Sequence, residues 1–194
     1  MHTREIILAS QSPQRKQILE TLGLDFKCVP ADIDEHLVVA PTQELRAQKI
    51  AQAKAEKIAK QNPDSIIIAG DTFVVLEDRA LEKPKSLQEA VEMLTLQSGK
   101  TVRAMTGVCY IDPMANLRFE TTVVTEFTFR NLSFQEIASY VKNNPVLTWS
   151  AAFSPAYPAG AAFVADVRGS LTCLTHGLPI ENIAEYVRQS GVSI

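Results

Sequence analysis

An aspartate interrupts an otherwise apolar run in this 194-residue sequence. Residues 65–76 read SIIIAGDTFVVL, which predicts a buried strand, and Asp71 lies in the middle of it. Burying an unpaired carboxylate is costly, so this group needs a partner, a metal or a catalytic task. The structural alternative is a bulge or turn from Gly70 to Thr72, in which Asp71 caps a backbone amide. Asp71 is therefore the first candidate for chemistry.

The start of the first predicted helix is a candidate phosphate site. Residues 12–16 read SPQRK, and no acid follows before Glu20, although the positive end of a helix dipole favours acids. The free amides of the first turn, the hydroxyls of Ser10 and Ser12, and the Arg15 guanidinium would together bind a phosphate. The alternative is an exposed, solvated basic turn with Ser12 as a plain N-cap.

Two lysines are candidates for pairing with phosphate or carboxylate groups. Lys54 falls on the predicted core face of the long helix that follows Thr42. The other members of that face are Ala47, Ile50, Ala51, Ala55 and Ile58. A lysine there either snorkels to solvent or reaches into a cleft. Lys83, held extended before Pro84, would supply a second positive charge.

An acidic loop supplies candidate metal ligands. Residues 31–35 read ADIDE after the second predicted strand. Alternating acids in a turn are commonly hydrophilic surface, or they cap the next element. An inward carboxylate from this loop, from Asp32, Asp34 or Glu35, would instead join Asp71 in a hard-oxygen site. Such a site suits Mg²⁺, which uses one or two carboxylates plus substrate phosphate oxygens.

The composition is that of a globular protein without a nucleic-acid surface. The chain is 46% apolar and 21% charged with a net charge of −3, which argues against a duplex nucleic-acid binder. No stretch approaches the roughly 18 consecutive apolar residues of a membrane span. Residues 1–5 lead straight into a strand instead of a signal-peptide apolar region. We therefore expect a cytoplasmic protein with no membrane partner.

The predicted elements form one α/β domain over residues 1–194 with a mixed sheet. Predicted strands cover residues 5–9, 25–30, 65–76, 100–111, 117–129 and 161–167. Predicted helices start at or after 13, 42, 86 and 133 and end near 22, 61, 97 and 143. The residues from 145 to 160 and from 168 to 177 stay unassigned. Cys28, Cys109 and Cys173 lack metal-ligand spacing and are expected to be reduced thiols.

Seven short motifs, in order and at matching separations, resemble those of one protein family. Residues 8–15 (LASQSPQR) are similar to the family's L-A-S-x-S-P-R-R, and residues 50–55 (IAQAKA) to its L-A-x-x-K-A. The others are the acidic loop 31–35, IAGDT at 68–72, EKP at 82–84, SGK with TGV across 98–108, and HGLP at 176–179. Over nearly its full length the chain resembles the Maf family of nucleotide pyrophosphatases.

This resemblance implies an enzyme of nucleotide house-cleaning. It would be a cytoplasmic hydrolase that cleaves a nucleoside triphosphate between the α and β phosphates, with Mg²⁺ or Mn²⁺, to the monophosphate and pyrophosphate. The implied fold is elongated, with a mixed sheet flanked by helices and two lobes around a central cleft. It is similar to the inosine triphosphate pyrophosphatases and is commonly a homodimer.

The resemblance also implies roles for individual residues. Asp71 would accept the proton of the attacking water. Glu35, Lys54 and Lys83 would line the catalytic cleft. The implied phosphate-binding residues are Ser10, Ser12 and Arg15, and the implied metal ligands are Glu35 and Asp71.

The identity of the base stays open. Gln14 replaces the first arginine of S-P-R-R, at a position where members differ with the base they accept. Thr72 matches the branch that takes dTTP and UTP, whereas the branch that prefers 7-methyl-GTP resembles D-Q there. Residues 148–160 lack the lysine and the glutamine of the pyrimidine branch's D-K-A-G-x-Y-x-I-Q-G. Three aromatic side chains of this segment either stack on a base or belong to the core: Trp149, Phe153 and Tyr157.

Two rival functions are compatible with these residues. One is a non-catalytic nucleotide-binding regulator tied to septum formation or growth arrest. The other is a metal-dependent phosphatase of small phosphate esters, which would release orthophosphate. The leaving group, and whether turnover occurs at all, distinguish these from a pyrophosphatase.

Overall fold

The computed structural model describes residues 4–194 of the chain. Its strands are β1 (Ile6–Leu8), β2 (Lys27–Cys28), β3 (Ile66–Leu76), β4 (Arg79–Leu81), β5 (Thr101–Asp112), β6 (Leu117–Phe129) and β7 (Val164–Arg168). Its α-helices are α1 (Pro13–Glu20), α2 (Gln43–Ala59), α3 (Leu87–Gln97), α4 (Phe134–Asn143), α5 (Pro158–Ala161), α6 (Leu171–His176) and α7 (Ile180–Gln189). The expectation that the chain has no signal peptide rests partly on residues 1–3, which lie outside the described residues.

The strands form one seven-stranded mixed sheet, so the predicted α/β class is confirmed. The strand order is β2-β1-β3-β5-β6-β7, and β4 pairs with β3. Strand β1 is parallel to both of its neighbours, with Leu8 beside Cys28 and beside Ile68. Strands β4 and β7 are antiparallel to β3 and β6. Because parallel strands end at the same edge, the segments that follow β1 lie near the middle of the longer β3.

The chain divides into two compact units. The first consists of the described part of Met1–Asp71 together with Thr106–Val123 and His176–Ile194. The second consists of Thr72–Met105 and Val124–Thr175. The prediction of a single domain over the whole chain stays a prediction.

The first unit buries both faces of its central strands. On one face Leu8 and Ile68 pack with Val187 of α7, and on the other Ile7 and Ile67 pack with residues of α2. Burial on both faces explains why β1 and the first half of β3 are continuously apolar instead of alternating. A carboxylate in such a strand therefore has to find its partner within the protein.

The second unit has an aromatic core and well-capped helices. The rings of Phe127, Phe129 and Phe153 contact one another, with centroids 4.7–5.6 Å apart. Helix α4 starts at the predicted position with a capping box, in which Ser133 and Glu136 bond each other's backbone amides. At α3, Ser86 accepts from the Glu89 amide. The Glu89 carboxylate instead accepts from the amide of Lys85.

The chain beyond residue 145 contains the largest differences from prediction. The strand expected at 161–167 starts later, at Val164, because Pro158 begins the short helix α5. Helix α7 follows Pro179 and was not predicted, although its buried Ile183 and Val187 have helical spacing. Strand β2 is also shorter than the predicted 25–30.

The three cysteines are free thiols, as predicted. Cys28 is exposed, whereas Cys109 and Cys173 are buried. Burial, with a contribution from the nearby Glu120 carboxylate, raises the pKa of Cys109 to about 12, so this thiol stays protonated at neutral pH. In the range 4–194 the structure has no helix that is both long and apolar enough to cross a bilayer.

A partly buried ion pair between Arg4 and Asp112 stabilises the first unit. Both terminal nitrogens of Arg4 donate to the carboxylate, with Nη1 2.6 Å from Oδ2. Asp112 is fully buried and also accepts from the Ala115 amide at 3.1 Å. Burial alone would raise the pKa of Asp112. Hydrogen bonds from Arg4, Ser190 and Ala115 outweigh burial, however, and hold the pKa below its ordinary value of 3.8.

Asp112→Asn should lower the free energy of unfolding at neutral pH by roughly 1.5–3 kcal/mol, the usual value for a hydrogen bond to a charged group. Because the pKa of Asp112 is lower in the folded than in the unfolded protein, this stabilisation is complete above about pH 4 and is lost as the pH falls through the folded pKa. Urea unfolding of both proteins at neutral pH and near pH 3 measures the effect. A difference between the two proteins that is as large in acid as at neutral pH would contradict it.

Candidate active site

Asp71 lies in strand β3 and is the last residue of the first of the three segments that form the first unit. The strand is continuous from Ile66 to Leu76, so the alternative of a turn at Gly70 to Thr72 is wrong. The Asp71 side chain is 10% exposed, and its Oδ1 accepts a hydrogen bond from Lys54. As expected, this carboxylate has a partner, which is the Lys54 ammonium group.

Helix α2 brings Lys54 to that carboxylate. The predicted core face of the helix is buried as its spacing indicates: Ala47, Ile50, Ala51, Ala55 and Ile58. Gly107 of β5 packs against the backbone of this helix, because a Cβ added to Gly107 would collide with the Ala47 carbonyl. This close packing, together with the small alanines, places α2 directly on the sheet. Lys54, about two turns beyond Ala47 on the same face, then reaches β3.

A single ammonium group is shared by two carboxylates. Lys54 Nζ lies 2.8 Å from Asp71 Oδ1 and 2.6 Å from Glu35 Oε1. The Lys54 side chain is 13% exposed and does not snorkel, whereas Glu35 is 44% exposed. The partly buried surroundings strengthen attraction between these charges relative to water. The structure thus unites three of the predicted catalytic residues in the first unit.

Two further basic residues of α2 hold the acidic loop in place. Arg46 donates through Nε to the Val38 carbonyl at 3.3 Å and through Nη2 to the Glu35 carbonyl at 3.4 Å. Lys57 Nζ donates to the Asp32 carbonyl at 2.6 Å. Neither residue is among the site residues predicted from the sequence. The available signal was their separation of about three helical turns, which places them on one side of α2.

The predicted phosphate-binding residues are also grouped together, at the start of α1. Ser10 Oγ accepts from the Ser12 amide at 3.2 Å and from Arg15 Nη1 at 3.0 Å. Ser12 is the N-cap, accepting from the Arg15 amide at 3.4 Å and donating to Gln14 Oε1 at 3.0 Å. The first turn of α1 contains no acid. An anion here would therefore meet helix amides and hydroxyls without a repelling carboxylate.

Arg15 connects this loop to the backbone beside Asp71. It is buried, and its Nε donates to the Gly177 carbonyl at 3.0 Å. A Cβ on Gly70 would lie 3.1 Å from Arg15 Nε and 3.1 Å from the Gly177 oxygen. The guanidinium therefore lies directly against Gly70, one residue before Asp71. The role of Arg15 in binding phosphate stays a prediction, and these contacts describe how the side chain is held.

Lys83 and Thr72 belong to the second unit. Lys83 is exposed in the segment between β4 and α3, and its role towards phosphate stays a prediction. Thr72 is half-buried and directly follows Asp71 in β3.

The aromatic residues proposed to stack on a base have different environments. Trp149 and Phe153 are buried in the core of the second unit, so the alternative of plain core side chains is correct for both. Tyr157 is 40% exposed, and its ring stacks on Trp149 with centroids 5.2 Å apart. Of the three rings, Tyr157 is the one with a substantial exposed surface.

The backbone between Trp149 and Phe153 is held by tertiary contacts in a conformation unusual for alanine. Ala151 and Ala152 both have φ near 57°, in the left-handed region that disfavours a Cβ. The Ala151 amide donates to the Glu82 carbonyl, and the Ala151 carbonyl accepts from the side chain of the buried Gln97, each at 3.0 Å. The path of this segment therefore depends on residues far away in sequence.

A family model described as Maf-like protein matches residues 5–190. The chain belongs to the Maf family. It is 35% identical over 191 residues to a dTTP/UTP pyrophosphatase of Desulforamulus reducens, covering 98% of this chain and 99% of that protein. It is also 35% identical over 184 residues to a dTTP/UTP pyrophosphatase of Aquifex aeolicus, covering 95% and 94% of the two chains.

Two solved structures match this Maf-family protein at low sequence identity and with TM-scores below 0.5. The Ham1 protein of Staphylococcus aureus superposes with a TM-score of 0.47 at 16% identity, over 65% of this chain and 72% of that one. A nucleoside-triphosphatase / dITP/XTP pyrophosphatase of Mycobacterium abscessus has a TM-score of 0.43 at 14% identity, over 96% of each chain.

Arg46→Ala should loosen the acidic loop while the rest of the first unit stays folded. Loss of the two carbonyl contacts should speed hydrogen exchange of the Leu37 and Val38 amides, which bond back to Asp34 and Glu35 in the loop's 3-10 turn. Native-state exchange measures this directly. Lys49→Ala, at an exposed position on the same helix, is the matched control and should leave those amides unchanged. Equal exchange in both variants would contradict the role of Arg46.

Gly107→Ala should destabilise the first unit by roughly 3 kcal/mol, at the upper end of overpacking costs, because the added methyl group meets backbone that cannot rotate away. Separation of α2 from β5 should also weaken the contact of Lys54 with Asp71. Thermal or urea unfolding measures the loss. An unchanged unfolding midpoint would show that the helix is not held as closely as described.

Proposed function

We propose that this Maf-family protein is a nucleoside triphosphate pyrophosphatase, which produces a nucleoside monophosphate and pyrophosphate. The observation that carries the proposal is the Lys54 ammonium held by Asp71 and Glu35. A protein that only binds nucleotides has no need of a buried carboxylate in this position. Relatives named dTTP/UTP pyrophosphatase, which match this chain over nearly their full length, support the same class of reaction.

The proposed reaction uses Asp71 as the proton acceptor. Water attacks the α phosphorus while its proton passes to the Asp71 carboxylate. The bond from the α phosphorus to the bridging oxygen breaks, and pyrophosphate leaves. Lys54 and Lys83 offset the negative charge that develops on the phosphates. The amides at the start of α1, with Ser10 and Ser12, hold phosphate oxygens.

We also propose that Glu35 and Asp71 hold a divalent cation, Mg²⁺ or Mn²⁺. Within the described range 4–194, no group of three or more His, Cys, Asp or Glu side chains could hold a metal by itself. Two carboxylates fit a cation whose remaining ligands are waters and substrate phosphate oxygens, which is the common arrangement for Mg²⁺. When bound, such a cation neutralises phosphate charge and makes a bound water easier to deprotonate.

For the base we propose a pyrimidine, as in dTTP or UTP. Thr72 and the names of the relatives support this choice. Gln14 and residues 148–160 differ from the pyrimidine pattern, so the base would be held by other contacts. The half-exposed Tyr157 ring offers one, since aromatic rings stack on bases of any kind.

A panel of standard and modified nucleoside triphosphates tests the proposal. Monophosphate and pyrophosphate should form in equal amounts, fastest with dTTP or UTP, and only with Mg²⁺ or Mn²⁺ present. Orthophosphate as the first product would identify a phosphatase, and tight binding without turnover would identify a regulator. Either outcome would contradict the proposed activity, whereas a preference for another base would contradict only the pyrimidine assignment.

Asp71→Asn should lower kcat by about 10²–10⁴, the usual contribution of a general base, because an amide cannot accept the proton. The melting temperature should change by only a few degrees, since the amide oxygen can still accept from Lys54. Asp32→Asn is the matched control. Because Asp32 is exposed in the acidic loop, this variant should keep the activity of the wild-type protein. Full turnover in the Asp71 variant would exclude Asp71 as the base. Gross unfolding would favour a structural role instead.

A further inference from the structure

The Lys54 ammonium occupies the space between the two carboxylates that are the proposed cation ligands. Its polar contacts in the described structure are Asp71 Oδ1 at 2.8 Å and Glu35 Oε1 at 2.6 Å. Glu35 comes from the acidic loop and Asp71 from β3, so the two acids approach each other through this lysine.

An ammonium group and a divalent cation cannot share these oxygens without conflict. Both are positive, both need direct contact with carboxylate oxygens, and Mg²⁺ requires still shorter oxygen distances of about 2.0–2.1 Å. Like charges at such separations repel strongly where water is partly excluded. A cation that binds the same oxygens therefore has to displace the ammonium from at least one carboxylate.

We propose that Lys54 is a built-in competitor of the divalent cation, and this proposal rests on the proposed function. In the nucleotide-free protein the ammonium pairs with both Glu35 and Asp71, offsets one of their two negative charges, and keeps their affinity for the cation low. When a triphosphate enters with its cation, the ammonium moves to a phosphate oxygen and releases the carboxylates. Binding of cation and binding of triphosphate are then coupled, each increasing the affinity for the other.

The surroundings of Lys54 suit this exchange. Lysine is a compact charge on a flexible four-carbon stem with three donors, so the ammonium can be redirected by rotation of the side chain alone. The helix backbone does not need to move, because the buried Ala51 and Ala55 on either side of Lys54 stay packed. The half-exposed Glu35, in its short loop, is the carboxylate more readily separated from the ammonium.

The competition can be measured without any substrate, by titrating nucleotide-free protein with Mn²⁺ and following free Mn²⁺ by electron paramagnetic resonance. Lys54→Met should bind Mn²⁺ at least tenfold more tightly than the wild-type protein. Lys49→Met, which removes an exposed lysine of the same helix, should bind as the wild type does. Equal or weaker Mn²⁺ binding by folded Lys54→Met would overturn the proposal.

A second measurement uses only the wild-type protein, in case the Lys54 variant does not fold. Mn²⁺ affinity is compared with and without a non-hydrolysable α,β-methylene analogue of UTP, and a rise of at least tenfold is expected. No change with the analogue bound would overturn the coupling. Failure of the proposed function is a separate outcome: all triphosphates would remain intact, whereas the Mn²⁺ titrations of the nucleotide-free proteins would still report on the competition.

Discussion

The candidate site depends on one ammonium group that two carboxylates share. Asp71 lies in a strand that is buried on both faces, where a carboxylate without a partner would be strongly destabilising. Lys54 supplies that partner and also binds Glu35. Because a carboxylate has more acceptor positions than one ammonium can fill, Asp71 keeps capacity to bind a water molecule. The same contact thus stabilises the fold and leaves the acid available for chemistry.

Much of the first unit can be understood as support for this contact. Gly107 and the alanines of α2 bring the helix close enough to the sheet for Lys54 to reach β3. On the far side of the ammonium, Arg46 holds the loop that carries Glu35. At the start of α1, Arg15 packs against Gly70 and so connects the predicted phosphate loop to the residue before Asp71. Each of these contacts requires a particular residue type at its position, either for close packing or for hydrogen bonding.

The pair of Arg4 and Asp112 shows what a purely structural acid looks like in the same unit. Asp112 is fully buried, is held by both terminal nitrogens of Arg4, and also accepts hydrogen bonds from Ser190 and the Ala115 amide. Asp71 instead has one described partner, on a flexible side chain. Saturated hydrogen bonding fixes a carboxylate in place, whereas a single movable partner permits exchange for a ligand.

The local sequence pattern was sufficient to predict the elements that depend on interactions between residues close in sequence. The core face of α2, the starts of α3 and α4 and the long strands β5 and β6 all follow from periodicity and from capping and turn residues. So does the expectation that Asp71 needs a partner and that Lys54 is a candidate for pairing. Tertiary structure alone decided that these two partner each other, that Glu35 joins them, and that Arg46 and Lys57 hold the loop. It also decided the left-handed alanines near Trp149 and the helical start of the segment expected to be a strand. These features arise from contacts between residues far apart in sequence, whose energies no local pattern contains.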